Sequence, residues 1–560
     1  MFFNLLLLLF LIFNTEANKP NYKILINNDV GTRSHVKGIF EVGDYLSGLG
    51  HKVVFASQKS HERYTKEYNI SYHPLEGDVE IINSFKFISD GAKEIDIQWN
   101  FKETLRVLPK LLSKAYRLNY PQLNQLLKEK SYNLVMCDFV AHACQDAART
   151  NGIPLIVYYQ SLDNIVTLLA SYKVNIREYG PLDIKNMSFK QRYYYKFIQP
   201  VKGAFYFVKV KNELSKVREE FQVKSNVYFG DLQYGLGLAN SFFGFEIPVS
   251  VPPNIKVVGP LSKLPKSELD DELKEFTDQN QRIIFIAFGS IVKLGPKTIV
   301  SILEYMLFAI ESKIIDGVIW SIGKSDITNL PKEIRIPNSD KVIETKPFFN
   351  NKHPNIRISN WLPQYSILNH ENVKLFLTHG GIESLFEAIA TSTPILCMPF
   401  SGDQPRNAKK IERMGIGQYL NADELNLENI MTKIKVLLEK DGEKIALNFR
   451  KYKVLIENSE RKIQAAADIA IEHIKFSQIC RKIEPYDSTK NSAPCEMEHL
   501  TPVYNELNYF VANGLDIYTF NLIFCILFVF MIFKLFSFVS TFLLKMVKKI
   551  ISSPLKAKVE

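Results

Sequence analysis

Short apolar runs that end in glycine or a polar loop, each followed by apolar residues at helical spacing, recur along most of this chain. Residues 23–26 read as a first strand, and a polar loop, 27–34, follows. Val36, Ile39, Phe40, Gly43 and Leu46 then repeat at helical spacing until Gly48 and Gly50, and residues 52–56 make a second strand. This is a βαβ unit. A further apolar run, 134–137, ends in Asp138. Prolines hold 251–260 extended, and 262–282 is charged, with Leu264, Leu269, Leu273 and Phe276 as its large apolar side chains. That segment is predicted to be a linker between domains. Beyond it the alternation resumes, with strands predicted at 283–288, 317–322, 356–359, 373–378, 394–398 and 417–420 and an amphipathic helix through Ile299, Ile302, Leu303 and Met306. Strand and helix in alternation predict an α/β fold with two doubly wound sheets, and a polar helix over about 440–474 is expected to cross back to the first.

The two ends are apolar in another way. Residues 1–17 are rich in Leu and Phe, carry no charge before Glu16 and place Thr15 and Ala17 where a signal peptidase prefers small side chains, so a cleaved signal peptide is expected. Residues 517–533 have only Asn521 as a strongly polar position, and 535–544 is apolar again beyond Lys534. This predicts a transmembrane helix over 515–537 with the lysine at its boundary. Lys545, Lys548 and Lys549 follow, so the positive-inside rule makes 538–560 a basic cytosolic tail and the rest lumenal, a single-pass type I arrangement. Lys556 and Lys558 resemble a retrieval signal of the endoplasmic reticulum membrane.

Secretory entry makes Asn69-Ile-Ser71 and Asn186-Met-Ser188 candidate glycosylation sites. The length of 560 residues, 46% of them hydrophobic, suits two sizeable cores. The net charge of +10 is gathered largely in the lysines of the tail, which argues against a nucleic-acid partner. None of the six cysteines shows metal-ligand spacing. Cys480 and Cys495 flank a polar, Pro-containing stretch and are candidates to pair, whereas Cys137, Cys144 and Cys397 sit in apolar runs and are expected as core thiols.

The densest chemistry lies at 361–404. Residues 373–378 form a strand that runs into His379, Gly380 and Gly381, and a helix follows from Ile382. At such a turn free backbone N–H groups and the positive end of the helix dipole face an anion, and glycine lets it come close. Trp361 offers a flat face for a base, Gln364 an amide for its edge, and Glu387 a carboxylate for ribose hydroxyls. Ser290, after the first strand of the second domain, lies in a turn expected to aim backbone N–H groups at an anion in the same way.

Trp361, Pro363, Gln364, His379, Gly380, Gly381, Ser384, Glu387, Pro394, Asp403 and Gln404 together resemble the signature of the UDP-glycosyltransferases, particularly the animal UDP-glucuronosyltransferases. The resemblance implies a GT-B architecture of two facing Rossmann-like domains. The expected layout is a signal peptide at 1–17, an acceptor-binding domain at 18–261, the linker at 262–282 and a UDP-sugar-binding domain with return helix at 283–475. A lumenal membrane-proximal segment at 476–514, the transmembrane helix at 515–537 and the tail at 538–560 complete it.

The resemblance also implies roles. His35, in the crevice beyond the first strand, is the general base, and Asp138 orients it and stabilises its imidazolium. Asp403 and Gln404 hold sugar hydroxyls, and Ser290, His379 and the helix terminus share the charge of the leaving diphosphate. The expected activity is inverting transfer of glucose or glucuronate from UDP-glucose or UDP-glucuronate to hydroxyls of small lipophilic acceptors, as in detoxification, at the lipid bilayer. No cofactor or metal is expected, since the UDP-sugar is a co-substrate, and a homo-oligomer is left open. A dedicated lipid or steroid glycosyltransferase and a noncatalytic scaffold are the alternatives. Two positions depart from the pattern. Glu383 stands where many relatives carry a neutral residue, and would repel the diphosphate unless it turns away. Ala239 stands where the vertebrate glucuronosyltransferases carry a basic residue, before Asn240-Ser241-Phe242-Phe243.

Overall fold

The computed structural model describes residues 21–29, 33–77, 101–162, 188–194, 198–223, 234–248, 251–263, 268–289, 292, 294–323, 331–350, 352–400, 402–487, 493–501, 511 and 514–552. Residues 1–17, Asn186, Ser290, Lys556 and Lys558 lie outside them.

Seven strands form the first sheet: β1 (Lys23–Asn27), β2 (Lys52–Gln58), β3 (Ser71–Leu75), β4 (Leu134–Asp138), β5 (Leu155–Tyr159), β6 (Leu236–Ala239) and β7 (Ile255–Val257). Their order is β3-β2-β1-β4-β5-β6-β7, and every pairing is parallel. The chain winds outward from β1 in one direction and from β4 in the other, so the topological switch lies between them. The helices α1 (Arg33–Gly48) and α2 (His142–Thr150) begin there.

The second sheet repeats this plan. Its strands are β8 (Ile283–Ala287), β9 (Gly317–Ser321), β12 (Ile356–Ser359), β13 (Val373–Thr378), β14 (Ile395–Cys397) and β15 (Gly417–Tyr419), in the order β12-β9-β8-β13-β14-β15, again parallel throughout. The strands β10 (Glu333–Arg335) and β11 (Val342–Glu344) make a separate antiparallel pair. All of β8 is buried, as expected of a strand covered on both faces, and its sequence is accordingly unbroken Ile-Ile-Phe-Ile-Ala. The switch between β8 and β13 faces α4 (Ile382–Thr391), and α5 (Gln404–Met414) follows β14. Two such domains are the GT-B architecture.

The predicted linker, 262–282, is partly core. Asp271–Gln279 is α3, capped by the Asp270 side chain, which accepts from the Leu273 N–H, and Leu273 and Phe276 bury in the second domain's core. An amphipathic stretch bounded by a good N-cap folds onto its neighbour despite its charge, and Leu273 and Phe276 were the signal. Phe242 and Phe245, numbered within the first domain, also bury in the second core.

The crossing is made by two helices. The first, α6 (Gly442–Ile456), buries Ile445, Phe449, Tyr452 and Ile456 in the second core. The next, α7 (Ser459–Ile483), buries Ile463, Ala466, Ala467, Ala470 and Ile474 in the first and packs on α1. Cys480 and Cys495 form a disulfide. The expectation of core thiols at Cys137 and Cys144 is corrected: both are buried, but they are bonded to each other, because the end of β4 and the first turn of α2 bring their Cα atoms to 5.9 Å. Cys397 is a buried free thiol as expected.

Taken by itself, the carboxyl-terminal unit is a helix, α8 (Leu515–Ile551), of 37 residues, long and apolar enough to cross a membrane. It continues past 537, because Lys534 is a lone charge in an apolar run free of glycine and proline.

Candidate active site

The first-domain half of the site is built at the switch point. Register pairs Asn27 with Cys137, so Asp138, the last residue of β4, stands at the mouth from which α1 starts, and His35 lies in the first turn of that helix. His35 Nδ1 is 3.2 Å from Asp138 Oδ2, and Asp138 is almost wholly buried. A carboxylate at Nδ1 fixes the proton there and leaves Nε2 as the basic atom. Burial opposes charge on the ring, but Asp138 and, less strongly, Asp403 outweigh it and raise the His35 pKa. Behind the pair, burial pushes the Asp29 carboxyl up to about 7, helped by the nearby Asp138 charge. Phe139 lies parallel to the imidazole at 6.3 Å between centroids, and Tyr159 lies 5.8 Å from Phe139, so an apolar wall flanks the base.

Gln160 is a member of this group that sequence reasoning missed. Its Nε2 donates to Asp138 Oδ2 and lies 3.1 Å from His35 Nδ1, so amide and imidazole compete for the same carboxylate oxygen. The signal was a polar residue directly after the β5 run, at the same end of the sheet as Asp138. His142, near the motif but outside its pattern, is buried, and its pKa is lowered to about 3 by desolvation.

The second-domain half centres on the turn between β13 and α4. Gly380 has φ +87° and an added Cβ would meet Cys397 Sγ at 2.5 Å, so only glycine fits. His379 packs against Gly289, where an added Cβ would meet its ring at 2.8 Å. Burial lowers the His379 pKa to about 4, so its ring is neutral near pH 7. Asn407, on α5, donates to the Gly380 carbonyl at 3.0 Å and to Asp403 Oδ2 at 2.7 Å, tying the start of α5 to the glycine turn. Gln404 accepts from the Phe400 N–H at 2.9 Å.

Trp361 is 76% exposed, a flat surface open to a stacking partner. The Gln364 amide donates to Glu387 Oε2 at 2.8 Å and Ser384 Oγ at 3.1 Å. These bonds order the Glu387 carboxylate and the Ser384 hydroxyl. The structure thus brings together Gln364, Ser384 and Glu387 in one group and Gly380, Asp403 and Gln404 in another, with His379 at the turn between.

Glu383 faces the first domain, where the Asn240 amide donates to its Oε1 at 3.0 Å. Lys37, on the same helix as His35, reaches both Glu383 and Glu387. Neither Lys37 nor Asn240 has a signal in the sequence, since their partners lie in the other domain. Among the described residues, no group of three or more His, Cys, Asp or Glu side chains is placed to hold a metal ion.

Residues 35–448 match the family described as UDP-glucoronosyl and UDP-glucosyl transferase. A UDP-glycosyltransferase of Talaromyces amestolkiae is 28% identical over 529 residues, covering 89% of this chain and 94% of its own. The UDP-glucuronosyltransferase 3A1 of Mus musculus is 28% identical over 251 residues, 43% of this chain and 44% of its own. Among solved structures, the calicheamicin glycosyltransferase CalG4 is similar in fold, with a TM-score of 0.54 at 17% identity, covering 83% of this chain and 100% of that one.

Proposed function

Because this chain belongs to the UDP-glucoronosyl and UDP-glucosyl transferase family, we propose that it transfers a hexose from a UDP-sugar, with inversion, to hydroxyl groups of small lipophilic acceptors. His35 Nε2 takes the acceptor proton as the hydroxyl oxygen attacks the anomeric carbon. The bond to the diphosphate breaks, and UDP leaves with its electron pair. Asp138 holds the imidazolium that forms. The Gly380–Gly381 turn, neutral His379 and the start of α4 receive the departing charge, Ser290 assists, Trp361 stacks on uracil, Glu387 binds ribose, and Asp403 with Gln404 binds the sugar.

One observation carries this reading. Lys37, two residues after His35 on α1, donates to Glu387 Oε1 on α4 at 3.2 Å, so the helix of the proposed base and the helix of the proposed ribose ligand meet across the domains. The apolar wall of Phe139 and Tyr159 beside His35 favours a flat, lipophilic acceptor. His35→Ala is expected to lower kcat by about two to four orders of magnitude, with UDP affinity by calorimetry nearly unchanged. Activity within about threefold of wild type would sink the mechanism.

The donor is expected to be UDP-glucose at least as readily as UDP-glucuronate. A site that selects a carboxylate needs a cation at the sugar, and Ala239 is a fully buried strand residue, followed by Asn240 and Ser241, whose side chains bond Glu383 and Glu246. Lys37 is likewise committed to two carboxylates. Side-by-side assays with both donors and one phenol test this; a strong preference for the glucuronate donor contradicts it. The same reading sets the catalytic domains in the lumen of the endoplasmic reticulum, anchored by α8.

A further inference from the structure

We propose that Lys37 is a positioning residue for donor binding, neutralising Glu383 at the diphosphate end of α4 and holding Glu387 in place for the ribose. The proposal rests on the reading that UDP binds at α4.

Glu383 lies in the first turn of α4, the end whose N–H groups are to receive the diphosphate. A carboxylate helps an empty helix start, but it works against an anionic ligand at the same place. Its side chain is 14% accessible and turned into the first domain, where Asn240 Nδ2 donates to Oε1 at 3.0 Å and Lys37 Nζ lies 3.6 Å from Oε2. At that separation the lysine makes an ion pair with Glu383 without a hydrogen bond. Its hydrogen bond goes instead to Glu387 Oε1, at 3.2 Å. Burial disfavours the charged form of Lys37, yet Glu383 and then Glu387 outweigh it and raise its pKa, so the ammonium stays charged.

Three consequences follow from this placement. Counted as formal charges, the two carboxylates and one ammonium sum to a single negative charge; burial raises the Glu383 pKa, and losing Lys37 would remove the ammonium that offsets both carboxylates beside the proposed diphosphate site. Glu387 also has both oxygens oriented, Oε1 by Lys37 and Oε2 by Gln364 at 2.8 Å. A carboxylate accepts up to about four hydrogen bonds, so capacity remains for ribose hydroxyls. Finally, Lys37 lies two residues beyond His35 on α1, so the contact that arranges the ribose ligand also sets the position of the base relative to the donor.

The test is UDP affinity by calorimetry and UDP-sugar KM and kcat for Lys37→Met, Lys37→Arg, Glu383→Gln and the double variant Lys37→Met/Glu383→Gln, with Trp361→Ala alongside. Lys37→Met is expected to weaken UDP and raise KM by about 10- to 100-fold while kcat falls less. Lys37→Arg and Glu383→Gln should stay within about threefold of wild type, and the double variant should recover most of the loss, because removing the extra carboxylate removes the need for its counter-charge. A lysine that merely holds the domains together would show no such recovery. If Lys37→Met leaves UDP affinity unchanged while Trp361→Ala weakens it, or if the double variant binds as poorly as Lys37→Met, the proposal is overturned. Unchanged affinity in both Lys37→Met and Trp361→Ala would overturn the donor site beneath it as well. If Lys37→Met does not fold, Glu383→Gln decides: binding weakened more than tenfold by loss of that carboxylate contradicts the proposal.

Discussion

On the proposed mechanism, the rate depends on how Asp138 Oδ2 is shared between the His35 imidazole and the Gln160 amide. The imidazole works as a base only when neutral, so activity falls as pH drops through its pKa, and the Asp138 charge raises that pKa above the ordinary value of about 6.5. Asp138→Asn removes the charge. The acid limb of the kcat/KM profile should then move to lower pH, while the plateau falls by about two orders of magnitude or more because the imidazolium of the transition state loses its partner. Gln160→Leu should move the limb the other way. Without the competing amide at Oδ2, the carboxylate acts more fully on His35. A limb that stays in place in both variants would show that His35 is not the titrating base. Asp138 was legible because it ends an apolar run, and His35 because it opens the helix after the first strand and its loop; the roles of both came from the family resemblance. Gln160 follows the β5 run as Asp138 ends its own, but its meaning depends on β5 lying beside β4, which no local pattern states.

Among the elements, the turn from β13 into α4 depends most strictly on its residues. A Cβ at Gly380 would need the left-handed region and would collide with Cys397, so Gly380→Ala should lower stability by about 1 to 3 kcal/mol and weaken UDP at least tenfold. Gly48→Ala, where nothing lies within 4 Å of the new methyl, is the control and should be neutral in melting and calorimetry. Equal behaviour of the two would show that the turn does not shape the donor site. The strands were legible at 356–359 and 373–378 to the residue, since the first is an edge strand that alternates as Ile-Arg-Ile-Ser and the second is an apolar run broken only by Lys374 before its terminal Thr378. The helix α3 was not, because its burial rests on Leu273 and Phe276 against a majority of charges. The bond between Cys137 and Cys144 was hidden for a related reason: their approach is made by the turn from β4 into α2, and both also read as core.

For the molecule as a whole, α8 is the proposed anchor. Its 37 residues extend about 55 Å, well beyond the roughly 30 Å of a bilayer's hydrocarbon, so Lys545, Lys548 and Lys549 can lie outside it. A chain ending at 514 should leave the membrane fraction, glycosidase should shift the mass of the full chain if exposed Asn69 is lumenal, and protease should spare the catalytic domains in sealed microsomes. Digestion of those domains would reverse the orientation. The one-dimensional pattern was enough for two doubly wound sheets, an apolar carboxyl-terminal helix and the glycine turn, because periodicity, helix starts and glycine requirements are properties of neighbours along the chain. It was not enough for the seam between the domains. Lys37 meets Glu383 and Glu387 more than three hundred residues away, Asn240 meets Glu383, and Lys410 pairs with Glu246 in the buried interface. Each such charge reads locally as a solvated side chain. Its role arises only when the fold removes it from water and sets an opposite charge or a donor beside it.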